Sequence, residues 1–211
     1  MAVLVTGGAG YIGSHMVWEL LDAGEDVAVL DRLSTGFEWA VAPEAKLYVG
    51  DISDQALVQQ IIVENNVDAV IHFAGSIVVP ESVADPLGYY DNNTVKTRAL
   101  LEQVVRSGVP HFIFSSTAAV YGGATGEPVK EGAPLYPESP YGRSKLMTEW
   151  MLQDTAIAHP LRYTILRYFN VAGADPRGRT GQSTPGATHL IKVASETALR
   201  KRPSMNVFGT D

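Results

Sequence analysis

The chain has 211 residues, of which 45% are hydrophobic and 18% are charged, and it contains no cysteine. A formal charge of -7 argues against a protein that binds nucleic acid or an anionic membrane, and the absence of cysteine excludes disulfides, thiolate nucleophiles and cysteine-based metal sites. The first residues include no basic n-region, and no apolar run approaches the ~20 residues of a membrane span, so we expect a soluble cytoplasmic protein.

Short β-branched runs alternate with longer segments of helical periodicity over the first 169 residues. This alternation predicts an α/β fold with a Rossmann-type, doubly wound parallel sheet, and nearly continuous apolar runs predict strands buried on both faces. The predicted strands are residues 2–5, 27–30, 47–49, 69–72, 112–114 and 163–166. The predicted helices are residues 11–23, 55–64, 86–107 and 140–158.

The composition changes after Phe169. Residues 170–186 are rich in Gly, Pro, Arg and Thr and predict a loop, followed by a helix over about 188–201 and a short strand over 205–208. Little chain then remains to cover the crevice where a doubly wound sheet binds ligands. We therefore expect an NAD-binding domain over residues 1–169 and a partial, truncated substrate-binding region over residues 170–211.

A glycine-rich turn, TGGAGYIG at residues 6–13, joins the first predicted strand to the first predicted helix. Gly7, Gly10 and Gly13, with Gly8, satisfy the spacing of a dinucleotide-binding turn. Such glycines allow a tight turn, close approach of the backbone to a pyrophosphate, and close packing of helix on strand. The start of the helix supplies free N–H groups for the anion. The alternative is a glycine turn with a purely structural role.

Acidic and small residues follow the next strands on the same rim of the sheet. Asp31 is placed to accept hydrogen bonds from the adenosine ribose and to repel a 2′-phosphate, which favours NAD over NADP, although the adjacent Arg32 could pair with that phosphate. Asp51 could reach the adenine edge or, alternatively, N-cap the next helix. Ala74 and Gly75 leave room for the cofactor.

Tyr141 and Lys145 lie four residues apart on one face of a predicted helix. A nearby ammonium and a positively charged nicotinamide would stabilise the phenolate, so that Tyr141 could remove a proton from a sugar hydroxyl. The alternative is a surface tyrosine beside a solvated lysine. Thr117 follows the fifth predicted strand, where its hydroxyl could bond the reacting oxygen or merely cap the following turn.

These motifs, taken together, resemble the extended short-chain dehydrogenase/reductase family. The matching stretches cover nearly the whole chain: TGGAGYIGSH, GDI, IHFAG, YYDNN, FIFSSTAAVYG, SPYGRSKLMTE, LRYFNVAGADP and VFGTD. Within the family, YYDNN, SPYGRSK and LRYFNVAGADP resemble the members that interconvert UDP-glucose and UDP-galactose at C4. The resemblance implies NAD as a bound cofactor, a UDP-hexose substrate and a 4-keto intermediate.

The resemblance also implies a role for each residue that matches a family motif. It makes Tyr141 the catalytic base, Lys145 the residue that lowers the pKa of that base, and Thr117 the partner of the sugar O4. The implied cofactor-binding residues are Gly7, Gly10, Tyr11, Ile12, Gly13, Asp31, Leu33, Ser34, Asp51, Ile52, Phe73, Ala74, Gly75, Asn92, Tyr141, Lys145, Tyr168 and Phe169. The implied substrate-binding residues are Thr117, Tyr141, Asn170, His189, Leu190, Val207 and Phe208. No metal is expected, because the five histidines have no metal-ligand spacing.

Two positions depart from the family pattern, and two other functions stay open. Ile77 stands where the family often has a lysine, and His189 stands where an asparagine is common. Another nucleotide-sugar enzyme of the family, a 4,6-dehydratase or a decarboxylase, is one alternative. A dehydratase usually carries acidic residues after the rim hydroxyl, where this chain has Ala118 and Ala119. An inactive NAD-binding fragment is the other.

The helix that carries Tyr141 has more apolar surface than one core face requires, at Leu146, Met147, Trp150, Met151 and Ile157. Simple burial is one interpretation. The resemblance instead implies a homodimer in which this helix and residues 86–107 form an intersubunit four-helix bundle.

Overall fold

The computed structural model describes residues 1–123 and 128–206. Six parallel strands form one sheet in the order β3-β2-β1-β4-β5-β6. The order reverses between β1 and β4, which confirms the doubly wound sheet and places the ligand crevice at the carboxyl ends of those strands. The strands are β1 (Ala2–Thr6), β2 (Asp26–Asp31), β3 (Lys46–Val49), β4 (Ala69–His72), β5 (His111–Ser115) and β6 (Arg162–Leu166).

The helices follow the predicted alternation, with one departure. They are α1 (Tyr11–Asp22), α2 (Gln55–Asn65), α3 (Val79–Ala84), α4 (Pro86–Tyr90), α5 (Lys96–Arg106), α6 (Pro140–Ala158) and α7 (Leu190–Ala198). The single helix predicted over residues 86–107 is wrong, because a π-helical turn at Asp91–Val95 separates α4 from α5. Its Asn93 carbonyl accepts a hydrogen bond from the Thr148 hydroxyl of α6 at 3.3 Å, so the turn is held against that helix.

The hydrophobic core lies on both faces of the sheet. On one face, Leu4, Phe112 and Phe114 belong to a cluster that includes Leu100 of α5 and Leu152 of α6. On the other face, alternate residues of β1 pack with Val17 of α1 in a second cluster. This alternation is the two-residue period of a strand covered on both sides.

The two edge strands depart from the predicted burial. In β6, Arg162, Tyr163 and Thr164 are exposed, and β3 is only partly buried. An edge strand has a neighbouring strand on one side only, and α6 packs against β6 from one face. The apolar residues of β3 and β6 therefore predicted the strand conformation correctly. The prediction that these two strands are buried on both faces was wrong.

The segment after β6 is largely irregular, as predicted. It contains one isolated bridge between Ala174 and Gly181. Met205 and Asn206 are not in a strand, and the rest of the strand predicted there lies outside the described residues. Three further elements were not predicted: α3 and the 3₁₀ turns at Glu38–Ala40 and Ala118–Tyr121. No helix within residues 1–123 and 128–206 has the length and apolarity to cross a membrane.

His72, at the end of β4, is a buried polar group within the core. Its ring nitrogens contact the hydroxyls of Thr6 at 2.6 Å and Thr97 at 2.9 Å, and its ring stacks on Phe114. Each hydroxyl can donate or accept, so the neutral ring is fully hydrogen-bonded. Burial lowers the pKa of His72 from 6.5 to about 3, so the folded chain holds this imidazole neutral.

We expect His72 to make the fold sensitive to acid. Between pH 6.5 and 3 the unfolded chain protonates this imidazole and the folded chain does not, so His72 reduces the free energy of unfolding as pH falls, by about 1.4 kcal/mol per pH unit. In urea denaturation series, the free energy of unfolding of His72→Gln should fall less steeply with decreasing pH than that of the wild type. The difference in slope should correspond to the uptake of about one proton. His159→Gln, at an exposed histidine, is the control. Equal slopes in wild type and His72→Gln would contradict the expectation.

Candidate active site

Backbone atoms leave no room for a side chain at two positions of the glycine turn between β1 and α1. Gly7 has φ +73°, and a Cβ there would lie 2.6 Å from the backbone nitrogen of Ala74. A Cβ on Gly13 would lie 2.1 Å from the carbonyl oxygen of Gly7. Gly10 is the N-cap of α1 and provides no side-chain cap. The first N–H groups of α1 are therefore available to an anion at the carboxyl edge of the sheet.

Asp31 is fixed beside this turn by two backbone amides. Its Oδ2 accepts a hydrogen bond from the Ala9 N–H at 3.0 Å, and its Oδ1 accepts one from the Leu33 N–H at 2.8 Å. Each carboxylate oxygen has a second lone pair, so both can still accept from a ribose hydroxyl. The neighbouring Arg32 donates from Nε to the Ser34 hydroxyl at 3.1 Å.

Asp51 forms an ion pair and does not cap the following helix. The N-cap of α2 is Asp54, which accepts a hydrogen bond from the Leu57 N–H at 3.0 Å, so the capping alternative for Asp51 is wrong. The Asp51 carboxylate accepts hydrogen bonds from the backbone N–H and from the side-chain hydroxyl of Ser53. It also forms an ion pair with the Lys96 ammonium at 2.7 Å. Although partial burial opposes them, these bonds lower the pKa of Asp51 to about 2.

The π-helical turn brings two asparagines against the segment that follows β4. Asn93 accepts from the Ser76 N–H at 2.8 Å and donates to the Ser76 carbonyl at 2.9 Å. Asn92 donates to the Ser76 hydroxyl at 2.9 Å. A Cβ on Gly75 would lie 3.0 Å from Asn93 Oδ1 and 3.5 Å from the Lys145 Nζ. Asn92 was predicted as a site residue and Asn93 was not, although the two asparagines are adjacent in the sequence.

Lys145 lies beneath the rim of the sheet. Its side chain is 3% exposed, its Nζ donates to the Ser115 carbonyl at 3.0 Å, and that nitrogen lies 5.0 Å from the centroid of the Phe114 ring. Burial lowers the pKa of Lys145 to about 8. The lysine is thus a buried cation on α6, and its direct bond is to the end of β5 and not to Tyr141.

Tyr141 lies one turn earlier on α6 and is half-buried. Burial raises the pKa of its phenol, the hydroxyl of Thr117 acts in the opposite direction, and the nearby Tyr168 raises it further. The Thr117 hydroxyl also accepts from the Ala119 N–H at 3.1 Å, so it caps the 3₁₀ turn as well as facing Tyr141. The Tyr168 hydroxyl contacts that of Ser115. The fold therefore groups these hydroxyls at the carboxyl edge of β5 and β6.

The segment after β6 contacts the glycine turn through Tyr11. The Tyr11 hydroxyl donates to the Gly173 carbonyl at 2.8 Å, and its ring lies 6.4 Å from that of His189. Phe169, Asn170 and Leu190 are exposed. A cavity of about 340 Å³ is lined by Tyr11, residues of this segment and α7. Val207 and Phe208, also predicted to bind substrate, lie outside the described residues.

A doubly wound sheet with a glycine-rich first turn, an acid at the end of β2 and a Tyr–Lys pair behind β5 defines an α/β protein of the dinucleotide-binding class. The model of the NAD dependent epimerase/dehydratase family matches residues 3–210. The chain belongs to this family.

Named relatives agree with that assignment. The UDP-glucose 4-epimerase of Azospirillum brasilense is 56% identical over 209 residues, which are 99% of this chain and 60% of that protein. The UDP-glucose 4-epimerase of Lacticaseibacillus casei is 45% identical, with 100% of this chain and 64% of that protein covered.

Solved structures give the same result. The UDP-glucose 4-epimerase of Brucella ovis, determined in complex with NAD, is 44% identical and superposes with a TM-score of 0.94 over 99% of this chain and 64% of that one. The enzyme of Stenotrophomonas maltophila, with bound NAD and formylated UDP-arabinopyranose, is 37% identical and also has a TM-score of 0.94, over 99% of this chain and 65% of that one. The chain spans 60% to 64% of the length of the two curated relatives it matches here.

Proposed function

We propose that this protein binds NAD and interconverts UDP-glucose and UDP-galactose at C4 through a 4-keto intermediate. The observation that carries the proposal is the grouping of Tyr141, Thr117 and the buried Lys145 at the edge of the sheet that the glycine turn also borders. Relatives with 45% to 56% identity that are named UDP-glucose 4-epimerase support it.

The residues at the crevice suit NAD. The uncapped start of α1 suits a pyrophosphate, the absence of a Cβ at Gly7 and Gly13 allows the close approach that a dinucleotide requires, and Asp31 suits the adenosine ribose. Asp31 would also repel the 2′-phosphate of NADP. When bound there, NAD would supply the acceptor and donor of the hydride exchanged with the sugar C4.

Side chains of the protein itself transfer the proton of the sugar 4-hydroxyl. Tyr141 removes it from the 4-hydroxyl and later returns it, while Thr117 holds the O4 atom. A neutral phenol is a poor base because the reference pKa is ~10, and burial raises the pKa of Tyr141 further. The Thr117 hydroxyl acts in the opposite direction, and a positive charge beside the phenol, from Lys145 or the bound cofactor, would lower that pKa as well.

The segment after β6 would anchor the distal half of the substrate. We assign the diphosphate to Asn170 and the nucleotide half to His189, Leu190, Val207 and Phe208. Leu190 is 68% exposed and Phe169 is 74% exposed, so both apolar surfaces are open to a ligand. The hexose must turn over between the two hydride transfers, so binding energy has to come from the diphosphate and nucleotide.

An isotope experiment separates this reaction from the alternatives. UDP-galactose carrying deuterium at C4 should give UDP-glucose that retains the label at C4, with no solvent hydrogen incorporated at carbon and no net release of NADH. A 4,6-dehydratase would lose the 6-hydroxyl as water and exchange C5 with solvent. A decarboxylase would leave this substrate unchanged, as would an inactive fragment. Loss of the C4 label to solvent would contradict the proposed cycle.

We also propose that the protein is a homodimer and acts in the cytoplasm. On α6, Met147 is 41% exposed, Trp150 53% and Ile157 86%, and Val95, the last residue of the π-helical turn before α5, is 54% exposed. These side chains suit the predicted intersubunit helix bundle. Because the chain has no cysteine, it requires no oxidising compartment for disulfide formation.

The dimer gives a direct prediction. Trp150→Glu should convert a dimer into a monomer in sedimentation velocity, because it places an uncompensated charge in a desolvated interface. Val63→Glu, at a 66% exposed position on α2, is the matched control and should leave the dimer intact. A monomeric wild type, or a dimeric Trp150→Glu variant, would refute the assignment of this face.

A further inference from the structure

An ion pair between the fully buried Glu149 and the largely buried Arg167 lies behind the proposed catalytic residues. Glu149 of α6 is 0% exposed. Its carboxylate accepts hydrogen bonds from the Arg167 Nε at 3.1 Å and from the Arg167 Nη2 at 2.5 Å. Glu149 also accepts a hydrogen bond from the Ser116 hydroxyl. Arg167 donates from Nη1 to the Tyr121 hydroxyl at 3.0 Å, and its Cζ lies 5.1 Å from the centroid of the Tyr121 ring.

This network joins the chain segments that carry the catalytic groups. Glu149 lies on the same helix as Tyr141, and Ser116 directly precedes Thr117. Arg167 directly precedes Tyr168 at the end of β6. The segments that carry Tyr141, Thr117 and Tyr168 therefore each contain a member of the network.

Stability alone does not explain such a pair. Removing two charges from water costs several kcal/mol per ion, and apolar residues of the same volume are often at least as stabilising. An apolar pair would lack the directional hydrogen bonds that fix the orientation of one segment relative to another. The hydrogen bond from Ser116 to Glu149 fixes the orientation of the segment after β5 relative to α6, and that orientation determines where the Thr117 hydroxyl points.

We propose that Glu149 and Arg167 are positioning residues that act through Ser116 to hold the Thr117 hydroxyl against the Tyr141 phenol. The inference rests on the proposed function for the meaning of that contact. Ser116, Glu149 and Arg167 have no proposed contact with substrate or cofactor.

A direct electrostatic effect of Glu149 on Tyr141 and a positioning effect through Thr117 predict changes of opposite sign in the pKa of Tyr141. The groups that act on Tyr141 are Thr117 and Tyr168, and Tyr89 of α4 lies near it. Lys145 lies one turn further along the same helix and donates to the Ser115 carbonyl. Removing the negative charge of Glu149 would by itself leave Arg167 uncompensated and lower the pKa of the phenol. Loss of the Thr117 contact would instead raise that pKa, because this contact acts to lower it.

Ser116→Ala is the cleanest test, since it cuts the connection without changing a charge or unpairing Glu149. We expect it to raise the pKa of Tyr141, measured by tyrosinate absorbance as the difference from the same variant carrying Tyr141→Phe. We expect kcat near neutral pH to fall about 10-fold with KM unchanged. In a Thr117→Ala background, Ser116→Ala should have no further effect. Ser82→Ala removes another buried serine hydroxyl, and it should change none of these values.

Glu149→Gln provides the second variant, because glutamine keeps the length and can still accept a hydrogen bond from Ser116. Because this hydrogen bond is retained, positioning through Ser116 predicts that the pKa of Tyr141 does not rise in this variant. A rise as large as that in Ser116→Ala would overturn it. A Ser116→Ala variant that behaves like Ser82→Ala also overturns it. The tyrosinate titration needs no turnover, so an inactive wild type would count against the proposed function while the titration still decides the positioning role.

Discussion

Replacing Tyr141 with phenylalanine is expected to lower kcat for the epimerisation of UDP-galactose by about 10³-fold, within the range that a general acid–base group contributes. The phenol is the proposed carrier of the 4-hydroxyl proton, and phenylalanine keeps the ring and removes only the oxygen. Because the ring remains, NAD affinity and the thermal midpoint should stay close to those of the wild type. Steady-state turnover and NAD titration by fluorescence measure the two effects separately.

Tyr136→Phe is the matched control for that experiment. Tyr136 is 79% exposed in the loop before α6, so removal of its hydroxyl should leave kcat unchanged. A Tyr141→Phe variant with wild-type turnover would remove this tyrosine from the mechanism. Equal losses in both variants would show that the effect does not depend on the site.

The second large effect is expected at the glycine turn. Gly7→Ala should weaken NAD binding by about 100-fold or more, because the new Cβ would lie 2.6 Å from the nitrogen and 2.9 Å from the Cα of Ala74. Both are backbone atoms of the segment that follows β4, so the turn itself must move to relieve the clash. Isothermal titration with NAD measures the dissociation constant.

Gly24→Ala separates this clash from backbone strain. Gly24 also has a positive φ, +81°, yet a Cβ there would meet nothing within 4 Å. Alanine at this position should cost about 1 kcal/mol of stability and leave NAD affinity intact. If Gly7→Ala and Gly24→Ala bind NAD equally well, the first turn does not carry the cofactor.

The parts of the fold that were predictable are those with local chemical signals. Apolar β-branched runs and helical periodicity predicted the six strands and the helices α1, α2 and α6 within one residue. The glycine spacing predicted the backbone geometry seen at Gly7 and Gly13, since a missing Cβ is a property of single positions. The π-helical turn had no such signal, because the periodicity of residues 86–107 suits one continuous helix.

The interactions that the sequence concealed are pairings between distant residues. Glu149 lies on a helix rich in polar residues, and nothing local indicates that it is buried against Arg167, 18 residues later. Arg179 contacts Asp22 across 157 residues and stacks on Trp18, which ties the segment after β6 to α1. Such pairs depend on which strands become neighbours, and that information is not local.

The candidate site was predictable to a similar extent. The fold brings Thr117 and Tyr141 together and buries Lys145, but the lysine donates to the Ser115 carbonyl, a backbone partner that its spacing from Tyr141 did not indicate. The roles of these residues in binding and catalysis stay predictions.

Incubation of the 211-residue chain with UDP-galactose and NAD, followed by proton NMR of the sugar anomeric signals, tests the proposed reaction most directly. Tyr141→Phe and a sample without protein are run in parallel. We predict that UDP-glucose accumulates to a fixed ratio with UDP-galactose in the wild type only. If UDP-galactose remains unchanged while NAD is shown to be bound, the chain is an NAD-binding protein without this activity, and the proposed function is wrong for it.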